Sequence, residues 1–263
     1  MSLHALRMSP GPSAPAAPNS AARAGHRRSA GPWGKVACVA LFILLALTAA
    51  QCARLGAAGL LVQLAQDEVD RWTSASRKPG MAEIRRAAKY FSDSRAYAPE
   101  NPWALEGLGA LDLAKMRASR IPREALAYAR DARVRLRQAL LQRPTSPFIW
   151  ANLALAKLYL DEIDDELLTA LRHADELGPW EPTVQQTVLF VGLAAWQDLD
   201  PGMQQALVRG IERGASRNAM KMFQIVKSYG RFDLICAIKK YENIAGPDCR
   251  KATGTDKPGE KMK

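Results

Sequence analysis

Hydrophobic and polar positions fall into three successive patterns along the 263-residue chain. Residues 1–34 are rich in Ala, Pro, Ser, Gly and Arg and show no apolar period. Nothing there offsets the entropy of ordering the backbone, so the pattern predicts a disordered basic tail. From Val36 to Ala53 no residue is charged, and only Thr48 and Gln51 are polar. These 18 residues, at about 1.5 Å each, span roughly 27 Å, close to the hydrocarbon thickness of a bilayer. From Gln66 to about Tyr241 apolar residues recur at helical spacing, with Ala, Leu, Arg and Glu dominant and β-branched runs short. Prolines punctuate this region, and helices end near a proline or start on one.

The apolar segment admits two main readings. An uncleaved transmembrane helix fits its length. A cleaved signal peptide fits Thr48-Ala49-Ala50 as a small-residue site. The mildly apolar helix that continues through Leu55, Leu60, Leu61 and Leu64 favours the span. A soluble core helix would look amphipathic instead. Gln51 disfavours lipid attachment at Cys52. Prolines in residues 1–34 oppose an amphipathic organelle transit peptide. Arg23, Arg27, Arg28 and Lys35 precede the span, and Arg54 alone comes closely after it. The positive-inside bias then puts the N-terminus in the cytoplasm and the remainder across the membrane.

The proline marks are periodic. Pro144 to Pro179 is 35 residues, close to the tetratricopeptide period of about 34. Within it Trp150 takes the large position of the first helix, Leu153 and Ala154 the crossing positions, and Leu171 and Ala174 those of the second helix, with Pro179 closing the unit. Pro99 to Pro144 is a looser unit of 45 residues, with Trp103 and Gly107 in its first helix and Leu136 and Ala139 in its second. Its excess length is expected in an extended turn around Ser119–Arg123. A half unit, Met81–Ala98, precedes these two. Thr183–Trp196 and Pro201–Arg213 form a third hairpin, and shorter helices at Arg217–Tyr229 and Phe232–Tyr241 finish the stack. The alternative is an irregular bundle with accidental spacing, and the Trp-Leu-Ala…Ala-Pro match over 150–179 favours repeats.

The 37 basic and 26 acidic side chains give a net charge of +11. Residues 1–66 hold six basic residues and no acid, whereas residues 67–247 carry 26 basic and 23 acidic. The basic excess therefore sits largely in the tails, and a nucleic-acid function would place it on the folded body. Four scattered cysteines exclude a disulfide scaffold or a four-ligand zinc site. No phosphate loop, HExxH or GxSxG motif occurs, and no strand pattern for a nucleotide-binding fold.

Some clusters have candidate chemistry. Arg130, Arg133 and Arg137 share one helix face, with Arg135 and Arg143 nearby. Such a stripe is either solvated or a surface for an anionic ligand or acidic partner. Asp161, Glu162, Asp164, Asp165 and Glu166 sit at an interhelix turn, where acids cap a helix N-terminus or, alternatively, hold a divalent ion. Trp103 and Trp150 fit repeat core positions, and Trp180, between two prolines, is the tryptophan suited to ligand or partner contact. Cys236 and Cys249 are able to pair in an oxidising compartment, and otherwise Cys236 reads as a small buried apolar residue.

Residues 144–182 carry a family likeness. Pro144-Thr145-Ser146-Pro147 is followed by Trp150-Ala151-Asn152-Leu153-Ala154, an acidic turn, Ala170-Leu171-x-x-Ala174, and Leu177-Gly178-Pro179-Trp180-Glu181-Pro182. Together with Gly192-Leu193-Ala194, Leu199-Asp200-Pro201 and Tyr229-Gly230-Arg231, this resembles the VpsP-like family of exopolysaccharide-biosynthesis proteins. The likeness covers roughly residues 60–240. It implies a membrane-anchored, repeat-bearing accessory protein encoded with polysaccharide assembly machinery, and it brings no catalytic residues.

The expectation is an all-α protein, a tetratricopeptide-like helical-hairpin solenoid behind one N-terminal transmembrane helix. Its expected parts are a tail (1–34), a span (35–54), a juxtamembrane helix and linker (55–80), a repeat domain (81–241) and a disordered tail (242–263). It would be a single-pass protein of the bacterial inner membrane, with a cytoplasmic N-terminus and a periplasmic repeat domain. The expected function is a non-catalytic scaffold for exopolysaccharide biosynthesis or export, with no cofactor, metal or nucleic acid. Its partners would be proteins of the assembly or export complex, and the polymer itself is a further candidate. Rival readings are a scaffold for another envelope or secretion system, and an all-α enzyme acting on polysaccharide.

Overall fold

The computed structural model describes residues 32–74 and 78–252. Among the described residues there are ten α-helices, three short 3-10 turns and no strand, so the protein is all-α. The basic-tail reading of 1–34 falls outside the described residues up to Gly31, as does the C-terminal tail from Thr253.

The chain divides into two units, one ending at Thr48 and one beginning at Ala49. The described part of the first is the opening stretch of α1 (Pro32–Ser74). Its large apolar side chains face outward: Trp33 is 85% exposed and Phe42 73%. α1 is long and apolar enough to cross a membrane, and a helix meets its own backbone hydrogen bonds in lipid.

The second unit holds the rest of α1 and nine further helices. They are α2 (Met81–Tyr97), α3 (Pro102–Ala118), α4 (Pro122–Leu140), α5 (Pro147–Tyr159), α6 (Asp165–Leu177), α7 (Pro182–Ala194), α8 (Pro201–Gly214), α9 (Ala219–Ser228) and α10 (Glu242–Ala252). Five of these start on a proline, whose missing N–H is one the first helical turn would leave unpaired anyway. The segments Pro99–Pro102, Pro144–Pro147 and Pro179–Pro182 introduce α3, α5 and α7 with one local structure. In each, the residue before the second proline donates its N–H three residues back: Asn101 to Ala98, Ser146 to Arg143 and Glu181 to Gly178. Those residues share an extended ψ of 111–112°, as the proline ring demands of its predecessor.

Consecutive helices pair as α3 on α4, α5 on α6 and α7 on α8, while α3, α5, α7 and α9 also touch in succession. α3, α5 and α7 are therefore sandwiched between their own partner and the next helix of their kind. Their burial shows it: Leu108, Leu153 and Val188, each six residues after the opening proline, are at most 5% exposed. Small residues permit the close crossings. A Cβ on Gly107 would enter the Phe91 ring of α2, and one on Gly192 would meet Leu207 of α8. One end is covered by Val62, Ala65 and Trp72 of α1 packed on Ile84, Ala87 and Phe91 of α2. The other is covered by Ile235, Tyr241 and Ala245 on Ile211, Met222 and Val226.

Three details differ from the sequence reading. The excess length of the 99–144 unit lies in its helices, 17 residues in α3 and 19 in α4 against 13 each in α5 and α6, and the connection between them is short. Phe232–Tyr241 is not a helix but two 3-10 turns, Phe232–Leu234 and Lys239–Tyr241. They come after Gly230, whose φ of 66° terminates α9. The expected disordered tail is helical from Glu242 to Ala252, with Ala245 inside that helix and Tyr241 just before it buried.

Candidate functional site

The arginine stripe on α4 is largely engaged with the acidic turn between α5 and α6. Arg137 makes a bidentate pair with Glu166 at 2.7 and 2.5 Å, and Arg133 pairs with Glu162. At the centre lies Lys157 of α5, buried to 2% side-chain exposure. Its Nζ donates to Glu166 at 2.7 Å, Asp164 at 2.9 Å and Glu162 at 3.2 Å. Three cations and three carboxylates thus close a neutral cluster joining α4, α5 and α6. The turn between α5 and α6 makes this possible. Asp161 adopts φ 59°, Glu162 donates its N–H back to the Lys157 carbonyl and Asp161 donates to Leu158, the Schellman arrangement of a helix end. Asp164 also accepts from Leu167 N–H, capping α6.

Burial pulls the Lys157 ammonium down, but the three carboxylate hydrogen bonds outweigh it and hold its pKa above the ordinary value. The hydrogen bond from Arg137, with Lys157 adding to it against the cost of burial, holds Glu166 down to about 2. Glu162, Asp164 and Glu166 are turned onto protein cations, whereas Asp161 and Asp165 make no ion pair with a described residue. Arg130 is exposed and bonds no described residue. Arg135 pairs with Asp112 of α3, itself buried and bonded by Lys115 at 2.9 Å.

Asp112 and Lys157 occupy the same place, ten residues after the opening proline of α3 and α5, and Gly192 holds it in α7. One position thus carries an acid, a base and a glycine, each matched by its neighbours. The tryptophans separate in the same register. Trp150 Nε1 donates to the Pro144 carbonyl at 2.6 Å, and its ring lies 4.7 Å from His173. Gln185, 35 residues on, donates to the Pro179 carbonyl at the same distance. Trp103 does not share this position. It sits two residues nearer its proline, half exposed, with the Arg143 guanidinium 3.4 Å over its ring, so Leu105 is the true counterpart of Trp150. Trp180 lies in the turn before α7, 58% exposed. The structure does not bring it into the arginine cluster. Cys236 and Cys249 form a disulfide with a Cα–Cα distance of 5.7 Å, which ties α10 to the turns before it.

A second feature has no motif in the sequence. On α3, α4, α5, α7 and α9 two cavities adjoin, sharing Arg117 and Tyr159. One, of about 490 Å³, is otherwise lined by Met116, Pro122, Ala125 and Leu126. The other, of about 420 Å³, reaches Asn152, Gln186, Phe190 and Ile225. Tyr159 and Phe190, both in the lining, approach at 6.5 Å, and Tyr229, just beyond the lining, meets Phe190 edge-on at 5.7 Å. Burial, with the Tyr159 phenol nearby, raises the pKa of Tyr229. The available signal was positional. Asn152 and Thr187 both stand five residues after an opening proline, and Leu155 and Phe190 eight after it, so register from the prolines marks one face of α5 and α7.

Comparison with protein-family models, curated proteins and solved structures returns no match for the chain.

Proposed function

We propose that the protein is a membrane-anchored, non-catalytic scaffold of tetratricopeptide-like repeats serving exopolysaccharide biosynthesis or export. The observation that carries the repeat reading is the turn preceding α3, α5 and α7, repeated with the same hydrogen bond and the same extended residue before proline. The matched side-chain bonds of Trp150 and Gln185 add to it. Repeated hairpins of this kind bury their apolar stripes against neighbours and leave long faces for partners. The link to exopolysaccharide rests on the likeness of residues 144–231 to the VpsP-like family. Anchoring through α1 is supported by its outward apolar side chains. A cytoplasmic N-terminus is supported by the four basic residues before the span against Arg54 after it. The Cys236–Cys249 bond favours an oxidising compartment for the body, as a bacterial periplasm provides.

The test is secreted exopolysaccharide in a clean deletion strain complemented in trans. Loss or shortening of the polymer, restored by complementation, is the expected result. Unchanged polymer removes the exopolysaccharide assignment.

A further inference from the structure

The groove on α3, α5, α7, α9 and the first turns of α4 differs in chemistry from the salt-bridged cluster that joins α4, α5 and α6. There, charged groups neutralise one another. In the groove, Arg117, Asn152, Tyr159 and Gln186, and beside it Tyr229, make no side-chain hydrogen bond or ion pair to any described residue. Thr187 alone is engaged, donating to the Thr183 carbonyl at 2.9 Å. Open hydrogen-bonding capacity is thus set around a row of aromatic rings. Arg117 is the one ionised residue lining either cavity.

These features select among occupants. A highly acidic polymer or peptide needs more than one cation. An apolar helix laid here would strip water from two amides and a phenol and leave them unpaired, at about 1–3 kcal/mol each. A sugar hydroxyl both donates and accepts, so it satisfies amide and phenol groups alike, while the apolar face of a sugar ring lies flat on an aromatic ring. The two joined cavities extend across five helices, which suits a chain rather than a single small molecule.

We propose that this groove binds a linear glycan segment. Its sugar rings lie along Tyr159 and Phe190, its hydroxyls bond Asn152 and Gln186, and Arg117 takes a carboxylate where the chain bears one. The inference rests on the exopolysaccharide reading for its biological sense and gives that reading a direct contact with the polymer.

The test is titration calorimetry on the full-length chain in detergent micelles with two probes, a β-1,4-linked glucose hexamer and the same hexamer with one glucose replaced by glucuronate. At least one binds, and Asn152→Ala and Gln186→Ala each weaken it about tenfold, equivalent to ~1.4 kcal/mol, with helical circular dichroism unchanged. Both positions are partly exposed, so truncation leaves the core intact. The inference is overturned if neither hexamer binds, or if the double variant binds as the parent does. It is likewise overturned if a displayed linear peptide, and neither hexamer, binds in a manner dependent on Asn152 and Gln186, which assigns the groove to polypeptide. The deletion strain is an independent arm. Glycan binding with normal polymer secretion would keep the groove and remove the exopolysaccharide role, and lost secretion without glycan binding would do the reverse.

Discussion

At the scale of single residues, Lys157 is the side chain on which most depends. It is buried, and its three carboxylate partners are between a third and a half exposed. Lys157→Met should therefore destabilise the body by about 2–3 kcal/mol, toward the low end for breaking a buried ion pair, because the stranded carboxylates still reach water. Urea unfolding at neutral pH measures it. The same cluster sets an acid limb. Glu166 is held to about 2 when folded, against 4.5 ordinarily. A carboxylate with a depressed folded pKa contributes stability that is full above pH 4.5 and is lost as pH falls toward 2. Glu106 and Asp175 act in the opposite sense, since burial raises both despite Arg143 and Arg213. A parallel pH series on Glu166→Gln isolates the effect, and the variant should show a shallower loss between pH 5 and about 2. The sequence placed the acids at a turn and the arginines on one face, but not their meeting. Residue spacing reports which face a side chain occupies, whereas this contact depends on how α4 crosses the next hairpin. Lys157 itself reads in sequence as an ordinary surface lysine at the end of a helix.

At the scale of elements, the prolines made the helices legible. A missing N–H and a fixed φ act locally, so they are readable without knowledge of the tertiary fold. Helix lengths in the 99–144 unit were not, because Ser119 to Ile121 reads equally well as the middle of a long loop. The end of the chain misled for a related reason. Gly246 and Pro247 look like loop residues, yet α10 runs through them, held by Tyr241, Ala245 and the disulfide. Crossing geometry yields two contrasting predictions for glycine. Gly192→Ala places a methyl group against Leu207 and should cost about 1–3 kcal/mol. Gly56→Ala, with no neighbour within 4 Å, should stabilise its helix by about 0.5–1 kcal/mol. Asp161, at φ 59°, is the reverse case, and Asp161→Gly should raise stability by up to about 1 kcal/mol by relieving the left-handed backbone. Thermal melts of the three variants, run side by side, check sign and rank.

At the scale of the molecule, the apolar helix and the all-α body were legible from composition and period alone, while the groove was not. Its members come from five helices and no one of them stands out, so they become a group only once the register from the opening prolines is known. The Cys236–Cys249 loop is short, and its closure should contribute about 3 kcal/mol in the chain-entropy picture. Reduction should add two hydrogens to the intact mass and lower the unfolding midpoint, and Cys249→Ser should reproduce the lower midpoint without reductant. That bond also limits growth. Ile211, Met222 and Val226 are covered by the 3-10 turns and α10 beyond Gly230, much as a last tile closes a row. A chain ending at Gly230 would present this apolar patch to the solvent, and the nearest surface able to cover it belongs to another molecule. Such a truncated protein should sediment as a concentration-dependent dimer joined patch to patch, because α1 still covers the other end, whereas the parent keeps this patch under its stapled lid.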